Sequence, residues 1–491
     1  MVLFIACIAS FMAPFDSSIV NLALPSIAKA FSASFADIIL ITTAYLVVIA
    51  SLQTTFGRVG DRSGMKPVLV IGVVVFTCGS FLAGLSGSVS QMIVFRIVQG
   101  AGAAMMSAVA GALVVKAFPV AERGRVLGIT LASAYTGLTA GPAAGGVLVQ
   151  VFGWRSIFYV NVPIGIATAA LAVVYLSSEK ASIGEARFDF PGAIALTAFL
   201  VTMLLALSGL AAYAWETALL VLSCMGSFAG FLLLERRKGT VPLIDLRLFT
   251  QNRLFAAGNA TALMNYITAS GSLLVVSLYL QDVLGYSPVS AGLVLLVQPA
   301  VMVLTAPVAG ALSDKISPGL LSAAGMFIKV LAFLALSFLG VSSSGESIWL
   351  PLMFLGLGHA LFSSPNSNSI MSSVPRDQIG LASGTLGTVR SAGQSVGVAV
   401  LGGVVAASMP AGAFAALSGG SVASGRTAQL FVTGMHYAFL LAALLCAIGI
   451  LTSLVRAKTN GGTGRGPASP PLRTGPARPE GRDAGIGENP I

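Results

Sequence analysis

Apolar residues in this chain gather into runs long enough to cross a bilayer, parted by short polar stretches. A spanning helix needs about 20 mostly apolar residues. Such runs fall at 3–25, 36–56, 67–87, 91–113, 126–150 and 156–176, then at 190–210 and 217–234. Six more fall at 254–278, 288–312, 318–340, 347–371, 380–407 and 430–455. The pattern predicts an all-α membrane protein with fourteen transmembrane helices. Glycine and proline within the runs do not weaken that reading, because membrane helices tolerate both. The first run begins at Met1 with no basic segment before it and no clear small-residue cleavage site, and Pro14, Asp16 and Pro25 fit a cleaved leader poorly. A retained first helix is expected. From Thr459 the chain turns to Gly, Pro, Arg and Ser, which predicts a disordered tail over 459–491.

Composition sharpens this picture. Hydrophobic residues make up 56% of the 491 and charged residues only 9%, with a mean hydropathy of +0.92. Soluble domains carry about 25% charged residues, so the solvent for most of this surface must be lipid. The net charge of +10 would suit nucleic acid, but its placement suits a membrane. With the N-terminus inside, 21 of the 27 Lys and Arg fall in inward segments or the tail, and 3 (Lys29, Arg155, Arg426) fall in outward loops. Arg96, Lys329 and Arg390 remain inside the membrane. That bias follows the positive-inside rule and puts both termini in the cytoplasm of a cell membrane. No nucleic-acid partner is needed to explain the charge. Cys7, Cys78, Cys224 and Cys446 lie far apart in apolar runs without metal-ligand spacing, so no metal is expected.

The two ends of the chain repeat each other. Gly57 and Asp61 are spaced like Gly310 and Asp314, 253 residues on. Pro119, Gly124, Gly128, Gly137 and Gly141 match Pro375, Gly380, Gly384, Gly393 and Gly397 at an offset of 256. The spans therefore divide as six, two and six. The expected units are an N-terminal bundle (1–176), a two-helix insert with its linkers (177–253), a C-terminal bundle (254–458) and the tail (459–491). Parallel six-helix repeats mark a large transporter class that binds substrate near the bilayer midplane, between the halves.

Several motifs carry a resemblance. The first helix holds FDSSIVNLALPSI, the second loop GRVGDRSGMK, the fourth helix FRIVQGAGAA and the fifth GLTAGPAAGG; GWRSIFYVNVPIG and VPLIDLRLF follow. Together, over roughly residues 1–458, these resemble the major facilitator superfamily, and within it the fourteen-helix drug:proton antiporter branch of QacA or EmrB type. Ser18 and Met65 stand where the branch usually has Thr and Arg. The resemblance implies the major facilitator fold, a proton gradient as energy source with no cofactor, and a monomer.

Among the acidic residues Asp16 lies well inside a span, while Asp282 sits near an outer helix end. A charged Asp at a helix centre costs about 2.5–3.5 kcal/mol, so it persists where it meets a cavity or a partner. Two readings stand: a fixed ion pair between helices, or a proton-coupling and substrate site. Counting residues from the outer ends places Asp16 and Arg96 about 6 Å apart in depth, within reach of an arginine side chain. The resemblance assigns Gly57, Asp61, Arg62, Gly64, Lys66 and Asp314 to a cytoplasmic gate. It assigns Gly137, Gly141, Pro142, Gly145 and Gly146 to an exporter motif, and small residues at those positions permit close helix approach. Asn21, Tyr45, Asn265, Gln298, Lys329, Asn366 and Arg390 are candidates to line the cavity. His359 reads as a buried structural histidine.

Three function classes compete. The fifth-helix glycines and Asp16 favour a proton-coupled antiporter exporting a drug, antibiotic or similar small amphipathic molecule. A uniporter, an importer or a metabolite exporter could use the same scaffold. A membrane enzyme or sensor would need convergent titratable groups, which the chain does not supply, and no GxxxxGK[ST] phosphate loop occurs. The interior charges, three cations to one carboxylate, favour a neutral or anionic cargo over a dication.

Overall fold

The structure is a computed structural model. It describes residues 1–119, 123–177, 190–207, 214–235, 246–313, 316–374, 379–410 and 425–460. Among these the regular structure is helical, with no strand. The first group is α1 (Val2–Phe31), α2 (Phe35–Ser63), α3 (Met65–Leu85), α4 (Val89–Ala117), α5 (Arg123–Phe152) and α6 (Asn161–Tyr175). Next come α7 (Phe190–Leu207) and α8 (Ala214–Glu235). The last group is α9 (Arg253–Leu278), α10 (Pro288–Ser313), α11 (Pro318–Leu336), α12 (Glu346–Ser372), α13 (Ile379–Ala407) and α14 (Arg426–Asn460).

The helix starts follow local chemistry. Ser34 caps α2 by accepting from the Asp37 amide at 3.2 Å, and the Asp37 carboxylate accepts from the Ser34 amide at 2.8 Å, a capping box. Ser88 and Asn252 cap α4 and α9. Pro288 and Pro318 open α10 and α11, where a missing amide hydrogen costs nothing. Gly64, at φ 93°, joins α2 to α3 by itself, a conformation that a side chain would strain.

A helix stands at each of the fourteen expected places, but twelve of them, not fourteen, are long and apolar enough to cross a membrane among the described residues. The two that fall short are α5 and α7. In α5 the run GITLASAYTGLTAGPAAGG spends its length on small and hydroxyl side chains. α7 is apolar throughout its length, FPGAIALTAFLVTMLLAL, and falls short only because its stretch with described side chains is Ile194–Met203. At the other end α14 continues to Asn460, past the expected start of the tail; residues 461–491 lie outside the described residues, as do the linkers 178–189 and 236–245.

Packing repeats with the sequence. α1 lies against α5, α2 and α3 against α4, and α3 against α6; likewise α9 lies against α13, α10 and α11 against α12, and α11 against α14. The glycines found at an offset of 256 do equivalent work. Gly137 and Gly141 let α5 approach Phe11 and Ser18 of α1, while Gly393 and Gly397 let α13 approach Leu263 and Ile267 of α9. The two groups meet where α2 packs on α13 and α5 on α10, and α7 rests against both α2 and α13. Large apolar side chains, Phe338 at 85% and Leu304 at 74% exposed among them, face outward as a lipid-facing surface requires.

One end of the bundle is sealed between the groups. There Ser277 donates to the Asn21 carbonyl at 3.1 Å and Gln281 to the Leu22 carbonyl at 3.1 Å. Gly146 meets Pro288 and Val289, and Gly292 meets Pro142 and Leu22, with no room for a Cβ at either glycine. Gly292→Ala is therefore expected to lower the unfolding midpoint of the purified protein. Gly226→Ala, which faces open space, should leave it unchanged or raised, since alanine is favoured over glycine in a helix by about 1 kcal/mol. Thermal unfolding in detergent compares the two.

Candidate functional site

Asp16 sits fully buried in the middle of α1. Arg96 of α4 places its Nη1 2.6 Å from Asp16 Oδ2, so the ion pair expected from helix depth is formed. The Gln99 and Asn161 amides donate to Asp16 Oδ1 at 2.7 and 2.8 Å. Arg96 also donates to Gln99 Oε1 at 2.6 Å and to the Ile41 carbonyl at 3.4 Å. Its guanidinium lies 4.0 Å from the centre of the Tyr45 ring, a cation–π contact. Ser80 accepts from both amides at 3.1 Å and donates to the Phe158 carbonyl at 2.9 Å. Side chains from α1, α2, α3, α4 and α6 thus converge on one carboxylate. At every one of these contacts the Asp16 oxygens accept.

The last six helices hold a different cluster in the related place. Lys329 of α11 is 1% exposed and donates to Asn265 Oδ1 at 2.8 Å, to the Asn265 carbonyl at 3.2 Å and to Thr268 Oγ1 at 2.8 Å. No carboxylate reaches it among the described residues. Asn265 continues to His359 Nδ1 at 3.4 Å, and Cys446 donates to Thr268 at 3.7 Å. The ammonium is solvated by neutral oxygens alone.

Between the groups lies a central cavity of about 190 Å³. Asn21, Tyr45, Gln298 and Arg390 line it as expected, and Pro142 joins them. Asn265, Lys329 and Asn366 do not; each is at most 1% exposed and turned into the packing of the last six helices. Nor do Asp16 and Arg96, which are sealed behind Pro14, Ser17 and Tyr45. His359, expected to be structural, does line the cavity. Tyr135 reaches across it to Ser363 at 2.9 Å.

The expected gate is only partly in view. The side chains of Asp61 and Arg62, and all of Asp314, lie outside the described residues. Lys66 donates to the Val173 and Leu176 carbonyls at 2.8 and 2.5 Å, so it caps the C-terminus of α6 rather than bridging the two groups. The glycines of α5 divide their work: Gly137, Gly141 and Gly145 receive α1, and Gly146 receives α10.

Gln99, Asn161, Ser80, Tyr135, Tyr266 and Gln394 were missed as site residues in the sequence. Gln99 could have been found, because it lies three residues after Arg96 and so shares its helix face. Asn161 stands in the quoted GWRSIFYVNVPIG, though nothing in that run says that its amide turns toward α1.

Comparison with known proteins agrees with this geometry. Residues 6–398 match the family described as Major Facilitator Superfamily. A riboflavin transporter of Clostridioides difficile (strain 630) is 35% identical over 403 residues, 81% of this chain and 86% of that one. The tetracenomycin C resistance and export protein of Streptomyces glaucescens is 34% identical over 80% of this chain and 73% of its own. The cephamycin export protein of Amycolatopsis lactamdurans is 32% identical over 93% and 92%. Among solved structures, a bacterial homologue of the human lysosomal transporter Spinster, inward-facing and unoccupied, superposes with a TM-score of 0.70 at 16% identity, covering 93% of this chain and 96% of that one.

Removing one partner of a buried pair strands the other charge, at a cost of about 3–5 kcal/mol. Arg96→Gln alone should therefore destabilise the protein by that order, and adding Asp16→Asn should recover part of the loss. A double-mutant cycle on unfolding midpoints reads the coupling, and strictly additive losses would refute it.

Proposed function

The chain belongs to the Major Facilitator Superfamily, and from that premise we propose that this transporter is a proton-coupled antiporter exporting a drug, antibiotic or similar small amphipathic molecule by alternating access. The observation that carries the reading is the buried carboxylate of Asp16, held by Arg96, Gln99 and Asn161. Arg96 and Gln99 come from α4 and Asn161 from α6, so a relative movement of α1 and α4 breaks the pair. A carboxylate parted from its cation within the membrane is left to be matched by a proton, which the returning Arg96 would displace. Moving one charge through 100 mV supplies about 2.3 kcal/mol, which such a cycle can use to drive cargo outward without a cofactor.

The reading includes fourteen spans, with α5 crossing despite its glycines and α7 crossing as an apolar helix, grouped as 1–176, 177–253 and 254–458. It includes a monomer in the cell membrane with both termini cytoplasmic, as the Lys and Arg bias suggests. In that orientation the sealed end is the outer one and the cavity faces the cytoplasm. Asp61, Arg62 and Asp314 would then close the inner end in the opposite state. The relatives named for tetracenomycin C and cephamycin export support an outward direction and a natural-product cargo.

The relative named as a riboflavin transporter favours a second reading, in which the cargo is a flat aromatic vitamin. Proteoliposomes separate the two. Under an imposed proton gradient, native protein is expected to move a compound from a panel of antibiotics together with counterflowing protons. Asp16→Asn should retain substrate binding but lose the coupled proton flux. Coupled flux that survives Asp16→Asn would sink the mechanism, and gradient-independent equilibration of riboflavin would favour the second reading.

A further inference from the structure

The cavity wall contains no carboxylate among the described residues. Its lining is made of serines, a threonine, amides, apolar side chains, three tyrosines, His359 and one arginine, Arg390. The nearby acids are accounted for elsewhere. Asp16 is committed to Arg96, Gln99 and Asn161 behind the wall. Asp282 lies in a single π turn, Tyr279–Val283, following α9 at the sealed end, and is not part of the lining. The Arg390 side chain is half-buried and makes no hydrogen bond or ion pair with any described residue. An arginine presents five donors in a planar fork, and in a half-buried, low-dielectric wall an unmatched fork attracts an anion.

The wall formed by the first six helices adds polar groups: Gln53 packs against Gly387, one turn from Arg390 on α13, and Asn21 lies toward the sealed end. Asn21 of α1, 6% exposed, and Gln53 of α2 both line the cavity. The side-chain oxygens of both are buried without a hydrogen-bond partner. A buried polar atom left unsatisfied costs about 1–3 kcal/mol, so a cargo that draws either amide round to accept from it gains what the empty site lacks. Between the two walls stand Tyr45 and Tyr135 from the first six helices and Tyr266 from the last six. Aromatic rings on both sides favour a flat ring system between them.

We propose that Arg390 is the anchor for the cargo's negative charge, and that the cargo is a planar aromatic monoanion that also carries hydrogen-bond donors. The fork would take a carboxylate or a similar acidic oxygen pair in bidentate fashion. Gln53, beside the charge, and Asn21, nearer the sealed end, would accept from hydroxyl or amide groups. The proposal rests on the transport reading above, but not on its proton coupling.

Equilibrium binding tests it without a gradient, so its failure and the failure of the antiport mechanism are separately visible. Purified full-length protein in detergent is titrated at neutral pH with three fluorescent probes sharing one ring system: anthracene carboxylate, anthracene methanol and aminomethyl anthracene. These carry a negative, a zero and a positive charge. The carboxylate is expected to bind roughly tenfold tighter than the alcohol, and the ammonium weakest. Arg390→Gln should bring the carboxylate to the affinity of the alcohol, whose own binding reports whether the cavity survives the change. Arg390→Lys, which keeps the charge but loses the fork, should retain part of the preference. The proposal is overturned if the native protein binds the ammonium as tightly as the carboxylate, shows no saturable carboxylate binding, or keeps its preference in Arg390→Gln.

Discussion

A carboxylate in the middle of a membrane helix must be matched, and that requirement organises the first six helices. A charge at the bilayer centre costs several kcal/mol unless it is paired or solvated. At Asp16 both are met by protein: one guanidinium, two amides and, behind these, Ser80. The donors come from α4 and α6, the supporting hydroxyl from α3, and the ring beneath the guanidinium from α2. Side-chain hydrogen bonds between membrane helices are individually modest, and five helices sharing one network gain register as much as energy. Arg96 and Gln99 both tie α4 to Asp16 of α1, so parting those two helices would open both contacts together.

The seam between the groups is built on a different principle. Lipid is as apolar as leucine, so hydrophobic contact alone drives no association between helices in the membrane. Close approach does, and α5 provides it with glycine on two faces. One receives α1 within its own group, and the other receives α10 across the interface. The same glycines lower the helix's hydropathy below that of a typical span. What makes α5 a poor match to an apolar template is what suits it to be a joint.

Much of this was legible in the sequence. Run lengths gave a helix at each expected place, and the fixed glycine spacing announced that α5 and α13 would pack alike. Asp16 and Arg96 could be paired because depth along a spanning helix follows directly from residue count. Rotation about the helix axis does not follow from counting, and the misses lie there. Asn265, Lys329 and Asn366 are mid-span polar residues just as Asn21 and Gln298 are, yet they face inward to their own group while the other two face the cavity. Lys66 stands in a loop motif that reads as a gate, but its long side chain found the open carbonyls of α6. Local sequence does not say which neighbour a flexible cation will reach.

The interior charges separate by task once their partners are known. A raw count of three cations to one carboxylate suggests a vaguely positive interior. The structure resolves it into a neutralised pair at Arg96, an ammonium solvated by Asn265 and Thr268 at Lys329, and an unmatched guanidinium at Arg390. The pair is sealed from the cavity, so a cargo there would not touch Asp16 directly. Proton and cargo would then compete through the positions of helices rather than for one carboxylate. That demands a mechanical link from the cavity to α1 and α4, and the wall supplies one. Tyr45 faces the cavity, donates to the Ala13 carbonyl of α1 at 3.3 Å and lies beneath the Arg96 guanidinium. A ring displaced by cargo would press on the pair itself.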